Sequence, residues 1–304
     1  MKQYTKIIIN PIAGAKSTLH KWPGIQSLLK HLGVAFDFQF TEGRGHGIEL
    51  AKTAAAEGYS TLVAVGGDGT IHEVANGILQ TDAKAEASLG IICTGTGSDL
   101  CRTLGVSHDI AQSCSNLTGG RRRVIDIGLV KYYKKGQPEQ RYFVNGAGIG
   151  FDATVVAAVD SLPKYINGTL PYVTGLLRTF LTYRNCEVTL KIGDKSVEKV
   201  KVLSLVVANG RYFGGGMQIA PQARVDDAQF DIVVLGNFGK IELIRNLSKV
   251  YKGTHLALSK VRLEKDIYVT LESKKKLLVQ ADGELLGEGP VSFTLLPSAL
   301  TLTV

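Results

Sequence analysis

Leu62-Val63-Ala64-Val65, then Gly66-Gly67-Asp68-Gly69-Thr70, then Ile71 to Leu79 follow one another without a break. The first four residues make an apolar, β-branched run of the kind that forms a buried strand. Ile71, Val74, Ala75 and Ile78 recur at i, i+3, i+4 and i+7, the spacing of one helix face. Glycines, an aspartate and a threonine join the two. Glycine lets the backbone turn tightly and approach a ligand closely. The helix N-terminus beyond it presents N–H groups and a partial positive charge, a setting that suits polyphosphate. An aspartate between glycines adds an oxygen ligand for Mg²⁺ beside that phosphate. The plain alternative is a tight strand-to-helix turn capped by Asp68 or Thr70.

On either side of this stretch, strand and helix signals alternate. Strands are expected at residues 6–9, 34–40, 62–65 and 89–92, and helices at 23–31, 47–57 and 71–79. This pattern predicts an N-terminal three-layer α/β domain with a mostly parallel sheet, over residues 1–130. Each strand runs into a polar or glycine-rich loop. These are Asn10-Pro11-Ile12-Ala13-Gly14 with Lys16 beyond, Thr41 to His46, Gly66 to Thr70, and Thr94-Gly95-Thr96-Gly97-Ser98-Asp99. Ligands of such sheets bind beyond the carboxyl ends of the strands. Four loops gathered there predict one nucleotide-sized site. Asp68 and Asp99 are its candidate Mg²⁺ ligands, and Lys16 and Arg102 its candidate phosphate cations.

Residues 131–304 read differently. A polar, loop-like stretch is expected at 131–140, followed by short strands at 142–145, 187–192, 200–208, 230–235, 267–271, 277–281, 291–296 and 300–304. Helices at 170–183 and 239–251 interrupt them. The prediction is a C-terminal antiparallel β-sandwich domain. Gly193-Asp194 and Asp282-Gly283 have the chemistry of hairpin turns. If the second hairpin faces the first domain, Glu284 supplies a carboxylate able to deprotonate a hydroxyl. The run Arg224-Val225-Asp226-Asp227 is either a cation site or a turn. Helix 170–183 places Tyr172, Leu176, Leu177, Phe180 and Leu181 on one side, near Arg178 and Arg184. That stripe is core packing or an amphipathic face for a bilayer.

The chain has 304 residues and a formal net charge of +8. Arg121-Arg122-Arg123 and Lys274-Lys275-Lys276 lie in no nucleic-acid-binding motif, so no nucleic-acid partner is expected. The four cysteines form no C-x-x-C pair, and the sequence passes from Met1-Lys2-Gln3-Tyr4 straight to Ile7-Ile8-Ile9. A cytoplasmic protein with reduced thiols is expected. No apolar run approaches the roughly 20 residues that span a bilayer, so membrane contact is expected to be peripheral, at the inner face. There is no P-loop, no H-R-D and no D-F-G, which excludes those kinase classes.

Taken in order, Asn10-Pro11-x-x-Gly14, Gly66-Gly67-Asp68-Gly69-Thr70, Gly95-Thr96-Gly97-Ser98-Asp99, Asn145-Gly146-x-Gly148, Ala208-Asn209-Gly210, Gly214-Gly215-Gly216-Met217, Ala220-Pro221, Asp226-Asp227 and Asp282-Gly283-Glu284 resemble the bacterial diacylglycerol kinase and lipid kinase family. The likeness runs over nearly the whole chain. Gly-Gly-Asp-Gly is shared with NAD kinases and phosphofructokinases, and the late Asp-Gly-Glu is the more specific part. The resemblance implies ATP held between the two domains. It implies nucleotide contacts from Asn10, Pro11, Ile12, Ala13, Gly14, Thr41, Gly66, Gly67, Asp68, Gly69, Thr70, Ile71, His72 and Thr96. Asp68 and Asp99 would join a catalytic Mg²⁺ network and Glu284 would be the general base. A structural Mg²⁺ would be held by the Asp227 side chain and the carbonyls of Arg224 and Gln229.

The implied activity is transfer of the γ-phosphate of ATP to a lipid hydroxyl at the membrane surface, most simply diacylglycerol to phosphatidic acid. A homodimer is left open. The alternatives are an NAD kinase-like enzyme with a soluble substrate and a non-catalytic nucleotide or lipid sensor. Three residues depart from the family pattern. Ser98 stands in place of Asn, Ala228 in place of Gly, and His72 where many bacterial members have Asn, in a form similar to sphingoid-base and ceramide kinases.

Overall fold

Leu62, Val63, Ala64 and Val65 are all fully buried, because their strand has a sheet neighbour on each side and helices over both faces. In the computed structural model, which describes residues 4–81, 87–95, 97–161 and 170–304, with backbone alone at 170–173, the chain divides into two compact units. One comprises Met1–Ile127 and Pro297–Val304, the other Gly128–Leu296.

The first unit runs β1 (Thr5–Ile9), α1 (Ser17–His31), β2 (Phe36–Phe40), α2 (His46–Ala56), β3 (Thr61–Gly66), α3 (Asp68–Leu79), β4 (Ser88–Cys93), α4 (Asp99–Leu104) and α5 (Ile110–Gly119). β1 pairs in parallel with β2 and with β3, and β3 pairs in parallel with β4. Trp22, Ile25 and Leu29 of α1 pack on Ile7, Ile9 and Val65. Pro23 lies inside α1, so the helix starts six residues earlier than a proline at its first turn would suggest. Asp109, whose carboxylate accepts from the Ala111 N–H at 2.7 Å, caps α5, a helix the sequence pattern leaves unassigned.

The second unit continues β5 (Arg122–Lys134), which begins in the first, through β6 (Gln137–Phe143), β7 (Gly146–Gly150), α6 (Phe151–Asp160), α7 (Leu170–Thr182), β8 (Cys186–Ile192), β9 (Glu198–Val202), β10 (Ser204–Ala208), β11 (Phe230–Leu235), α8 (Lys240–Tyr251), β12 (Val261–Asp266), β13 (Tyr268–Glu272), β14 (Leu278–Ala281) and β15 (Glu284–Thr303). Its pairings are antiparallel, in the order β12-β11-β10-β7-β14-β15, with β15 also paired to β13, then β8, then β9. Phe143 stacks on Phe230 with ring centroids 5.5 Å apart, and Phe293 meets Phe143 edge-on. They centre a core fed by Val188, Leu190, Leu205, Val207 and Val279.

Several expectations need correction. Residues 131–140 are not a loop but the β5–β6 hairpin, turning at Lys135 and Gly136 with φ of 52° and 78°. Its polarity comes from one solvated face: Lys131 is exposed while Tyr132 is buried. The single strand expected at 200–208 is two, broken at Leu203, and 291–296 and 300–304 are one continuous β15. The end of β15 does not belong with the antiparallel strands. Thr301, Leu302 and Thr303 pair in parallel with Ser88, Leu89 and Gly90 of β4. Alternation tells which face of a strand is buried, not which strand lies beside it.

Candidate active site

The four loops of the first unit are tied to one another by specific bonds. Asn10 N–H donates to the Val65 carbonyl, and Asn10 Oδ1 accepts from Ile12 N–H at 3.2 Å. Gly14, Ala15 and Lys16 all have positive φ, and a Cβ on Gly14 would run into the Thr94 carbonyl. Only glycine fits there. Thr18 Oγ1 and Thr94 Oγ1 are 2.6 Å apart and buried, pinning the first loop to the fourth. The Gly66 carbonyl accepts from both Thr94 and Gly95 N–H, which brings Gly95 against the Gly67 backbone.

Asp68 does not cap its own helix. The N-cap of α3 is Gly67, with no side-chain cap. The Asp68 carboxylate reaches the start of α4 instead, accepting from Asp99 N–H at 2.9 Å and Leu100 N–H at 3.4 Å. Asp99 in turn pairs with Arg102 at 2.8 Å, and the same guanidinium nitrogen donates to the Gly97 carbonyl. Arg102 therefore shapes the fourth loop as well as charging it. Ser98 adopts a left-handed conformation, φ 54°, the kind of position for which Asn is suited. Its hydroxyl donates to the Gly95 carbonyl and sits 2.8 Å from Cys93 Sγ. A hydrogen bond from Cys101 holds the Cys93 thiol below its ordinary range and pushes Cys101 up.

Thr41 is buried and its N–H donates to the Ile9 carbonyl, fixing the second loop to β1. Lys16 is exposed at the start of α1. The Ile71 and His72 side chains are both 1% exposed, and His72 Nε2 lies 3.3 Å from Asn76 Nδ2. A nucleotide role for those two side chains rests on the resemblance alone. Thr96 lies outside the described residues.

Sequence reasoning missed Glu73. Its carboxylate accepts from Gly45 N–H at 2.6 Å and Gly47 N–H at 2.9 Å, anchoring the second loop to α3. The available signal was a carboxylate beside Val74 and Ala75 on a helix whose residues from Thr70 to Leu79 are all buried, since such a group is buried only where it is satisfied.

In the second unit, Asp282 and Gly283 have φ of 47° and 82°, the two positive values of a type I′ hairpin, and Glu284 opens β15 directly opposite Ala281. This turn is held from three directions. The Asp282 carboxylate accepts from the backbone N–H groups of Val144, Asn145 and Gly146 at 2.8, 3.0 and 2.9 Å. Asn209 Nδ2 donates to the Val144 carbonyl, and Asn145 Nδ2 to that of Tyr212. The Asn145-Gly146 and Asn209-Gly210 motifs are thus one knot beneath the hairpin. Gln280 completes it, accepting from Gly283 N–H at 3.1 Å and donating to Asp152 at 3.0 Å.

Asp152 is half-buried at the start of α6, with its carboxyl bonded by Ser204 and Gln280. Ser204 Oγ lies 2.5 Å from its Oδ1 and 2.9 Å from the Ile149 carbonyl. The Ser204 hydroxyl and the Gln280 amide both donate to this carboxyl, and these two bonds favour its charged form. Burial pushes the Asp152 carboxyl up to about 6, against the opposing pull of Ser204 and Gln280. A raised folded-state pKa favours the protonated form, so this stabilisation is complete below the unfolded value of 3.8 and is lost as pH rises through about 6. Tyr183 and Cys186 face the same carboxyl and are pushed up by burial, so they stay neutral over that window. Asp152→Asn is expected to lack this pH dependence. Urea unfolding of parent and variant from about pH 4 to 8 should diverge by about 3 kcal/mol.

The acidic loop after β10 offers its own cation. Asp227 accepts from Gln229 N–H and pairs with Lys265 at 3.3 Å, and the same ammonium is 3.3 Å from Asp231. Asp226 pairs with Arg224, and Ala228 takes the left-handed φ of 56° that glycine takes at no cost. One ammonium thus stands against both carboxylates, and a structural Mg²⁺ held by Asp227 with the carbonyls of Arg224 and Gln229 rests on the resemblance alone. Asp68 and Asp99 present oxygen donors of the kind Mg²⁺ takes. Among the described residues no three His, Cys, Asp or Glu side chains gather as a metal cage. The chemistry fits Mg²⁺ arriving with a nucleotide, whose phosphates and waters complete its shell.

Residues 5–130 match the diacylglycerol kinase catalytic domain, and residues 146–304 the YegS C-terminal NAD kinase beta sandwich-like domain. The chain is 30% identical to a diacylglycerol kinase of Bacillus subtilis, over 95% of this chain and 92% of that one. It is also 30% identical to Bacillus subtilis YtlR, whose name assigns it provisionally to the lipid kinases, over 97% of each. A Bacillus anthracis diacylglycerol kinase structure superimposes with a TM-score of 0.73 at 21% identity, covering 100% of this chain and 97% of that one, which bears on the fold. Two domain models in the same order, and two relatives matched almost end to end, leave one assignment: the chain is a lipid kinase and belongs to the bacterial diacylglycerol kinase family, related to the NAD kinases.

Proposed function

We propose that the chain transfers the γ-phosphate of ATP to a primary hydroxyl of a membrane lipid, with diacylglycerol as the first candidate and Glu284 as general base. The observation that carries this reading is the hairpin. A three-point backbone clamp on Asp282, with Gln280 on Gly283, holds one short turn far more firmly than a surface loop needs. Such stiffness suits a carboxylate that must meet a hydroxyl within hydrogen-bond reach. In this reading residues 1–130 bind nucleotide and 131–304 bind the lipid.

Glu284 accepts the hydroxyl proton as the lipid oxygen attacks the γ-phosphorus in line. The new oxygen–phosphorus bond forms as the bond to the β-phosphate oxygen breaks, and ADP leaves. Backbone N–H groups of residues 66–70 and the Lys16 ammonium stabilise charge on the phosphate oxygens. Mg²⁺, held through Asp68 and Asp99, supplies neutralisation of the phosphates when bound. Support for ATP as donor comes from the likeness to an NAD kinase of Archaeoglobus fulgidus solved in complex with ATP, at TM-score 0.53 and 12% identity.

Purified protein given radiolabelled ATP, Mg²⁺, a panel of detergent-dispersed lipids and NAD should label a lipid carrying a free primary hydroxyl. Label in NAD alone would overturn the lipid reading. ATP binding without turnover of any acceptor would make the chain a sensor.

A further inference from the structure

Apolar side chains as exposed as Ile241, at 67%, and Ile244, at 63%, require an explanation. Both lie on α8, a helix with no buried residue. Leu243 and Val250 turn toward the core beneath it. Ile241, Ile244, Leu247 and Tyr251 recur along the outer side, and all are exposed. Arg245, Lys249 and Lys252 are exposed beside them. The helix has one acidic residue, Glu242, and it is taken up by Lys260 at 2.7 Å and by the Gly239 N–H. The outer side of α8 is therefore apolar and cationic with no available anion.

The surface continues onto α7. Lys240 at the start of α8 donates to the Leu181 carbonyl, and Leu181 and Leu177 are 68% and 56% exposed, with Arg178 and Arg184 exposed nearby. Tyr172, expected on the same stripe, lies outside the residues with described side chains.

We propose that α8, with the end of α7, lies in the interface of an anionic phospholipid bilayer. The isoleucines enter the acyl boundary and Arg245, Lys249 and Lys252 meet lipid phosphates. An apolar stripe flanked by cations is the composition of an interfacial helix. A second copy of this chain is disfavoured as occupant, because a symmetric pair would set these cations against each other. Among the described residues no helix is long and apolar enough to cross a membrane, so the contact proposed is with the surface. The proposal rests on the reading that the substrate is a membrane lipid, but membrane binding can be measured without turnover.

The full chain is spun with vesicles of phosphatidylcholine alone and with vesicles containing phosphatidylglycerol. Sedimentation with the anionic vesicles only is expected. Arg245→Gln with Lys249→Gln should weaken it about 30-fold, two cationic contacts at roughly one kcal/mol each. Ile241→Ser with Ile244→Ser should weaken it by at least about tenfold. Neither pair should change phosphorylation of detergent-dispersed lipid. No vesicle binding by the parent, or binding by both variants equal to the parent's, overturns the proposal. So does a dimer in light scattering that the isoleucine variant abolishes. Vesicle binding without any lipid phosphorylation upholds the docking surface and defeats the proposed substrate.

Discussion

Glu284→Gln is expected to lower kcat by about 10²–10⁴-fold, the usual contribution of a positioned general base, with little change in KM for ATP. The amide has the shape of the carboxylate but cannot take the proton. The turn is clamped by the Asp282 carboxylate and by Gln280 on the Gly283 N–H, and glutamine keeps the size and hydrogen-bonding reach of glutamate, so the substitution should change the unfolding temperature little. Steady-state kinetics on detergent-dispersed diacylglycerol, beside a thermal melt and an ATP titration, separate these quantities. Retention of kcat within about a factor of two would remove Glu284 from the chemistry. A matching fall in thermal stability would recast it as structural.

The glycine loop was legible because two periodicities meet there. A run of four buried residues gives way at Gly66 to the i, i+3, i+4 pattern of α3, and nothing else in the chain changes period so sharply. What Asp68 does was not legible. Its carboxylate bonds to the backbone of Asp99 and Leu100, more than thirty residues away, and a local rule could only assign it to its own helix. Glu73 was hidden for the same reason, since its partners are N–H groups of Gly45 and Gly47 in a different loop.

The hairpin turn at Asp282-Gly283 was read correctly from its residue types, because αL backbone in a two-residue turn selects Asp and Gly. The matching turn at Lys135-Gly136 escaped the same rule. Lysine is an uncommon residue at positive φ, and the polar face of β5 and β6 masked their alternation. Family motifs recorded that Asn145, Gly146, Asn209 and Gly210 recur together, but not their purpose. Their purpose is geometric: the two asparagines bond the backbones that the Asp282 carboxylate then clamps. Ser98 and Ala228, which stand where the resemblance has Asn and Gly, both lie in the left-handed region, at φ 54° and 56°. For a non-glycine residue that conformation costs on the order of 1 kcal/mol, so both loops hold their shape at some expense in stability.

Asp282→Ala should be the most destabilising single change in the second unit outside its apolar core. Three backbone donors converge on one carboxylate, and removing it leaves all three without that acceptor. Alanine must also adopt φ near 47°, where aspartate is better tolerated. Partial exposure of the turn lets water replace some of what is lost, so the expected cost is about 2–4 kcal/mol rather than the sum of three full penalties. For a unit of this size that lowers the unfolding temperature by about 5–15 °C. Asp282→Asn should fall between parent and alanine: its remaining carbonyl oxygen can still accept from Asn145 and Gly146, but its amide faces the Val144 N–H donor to donor. Activity should fall with stability in this series, because Glu284 is two residues along the loosened turn. Calorimetry and initial rates on the same samples test the link. An alanine variant that melts with the parent while losing activity would mean that Asp282 acts on substrate rather than on the turn.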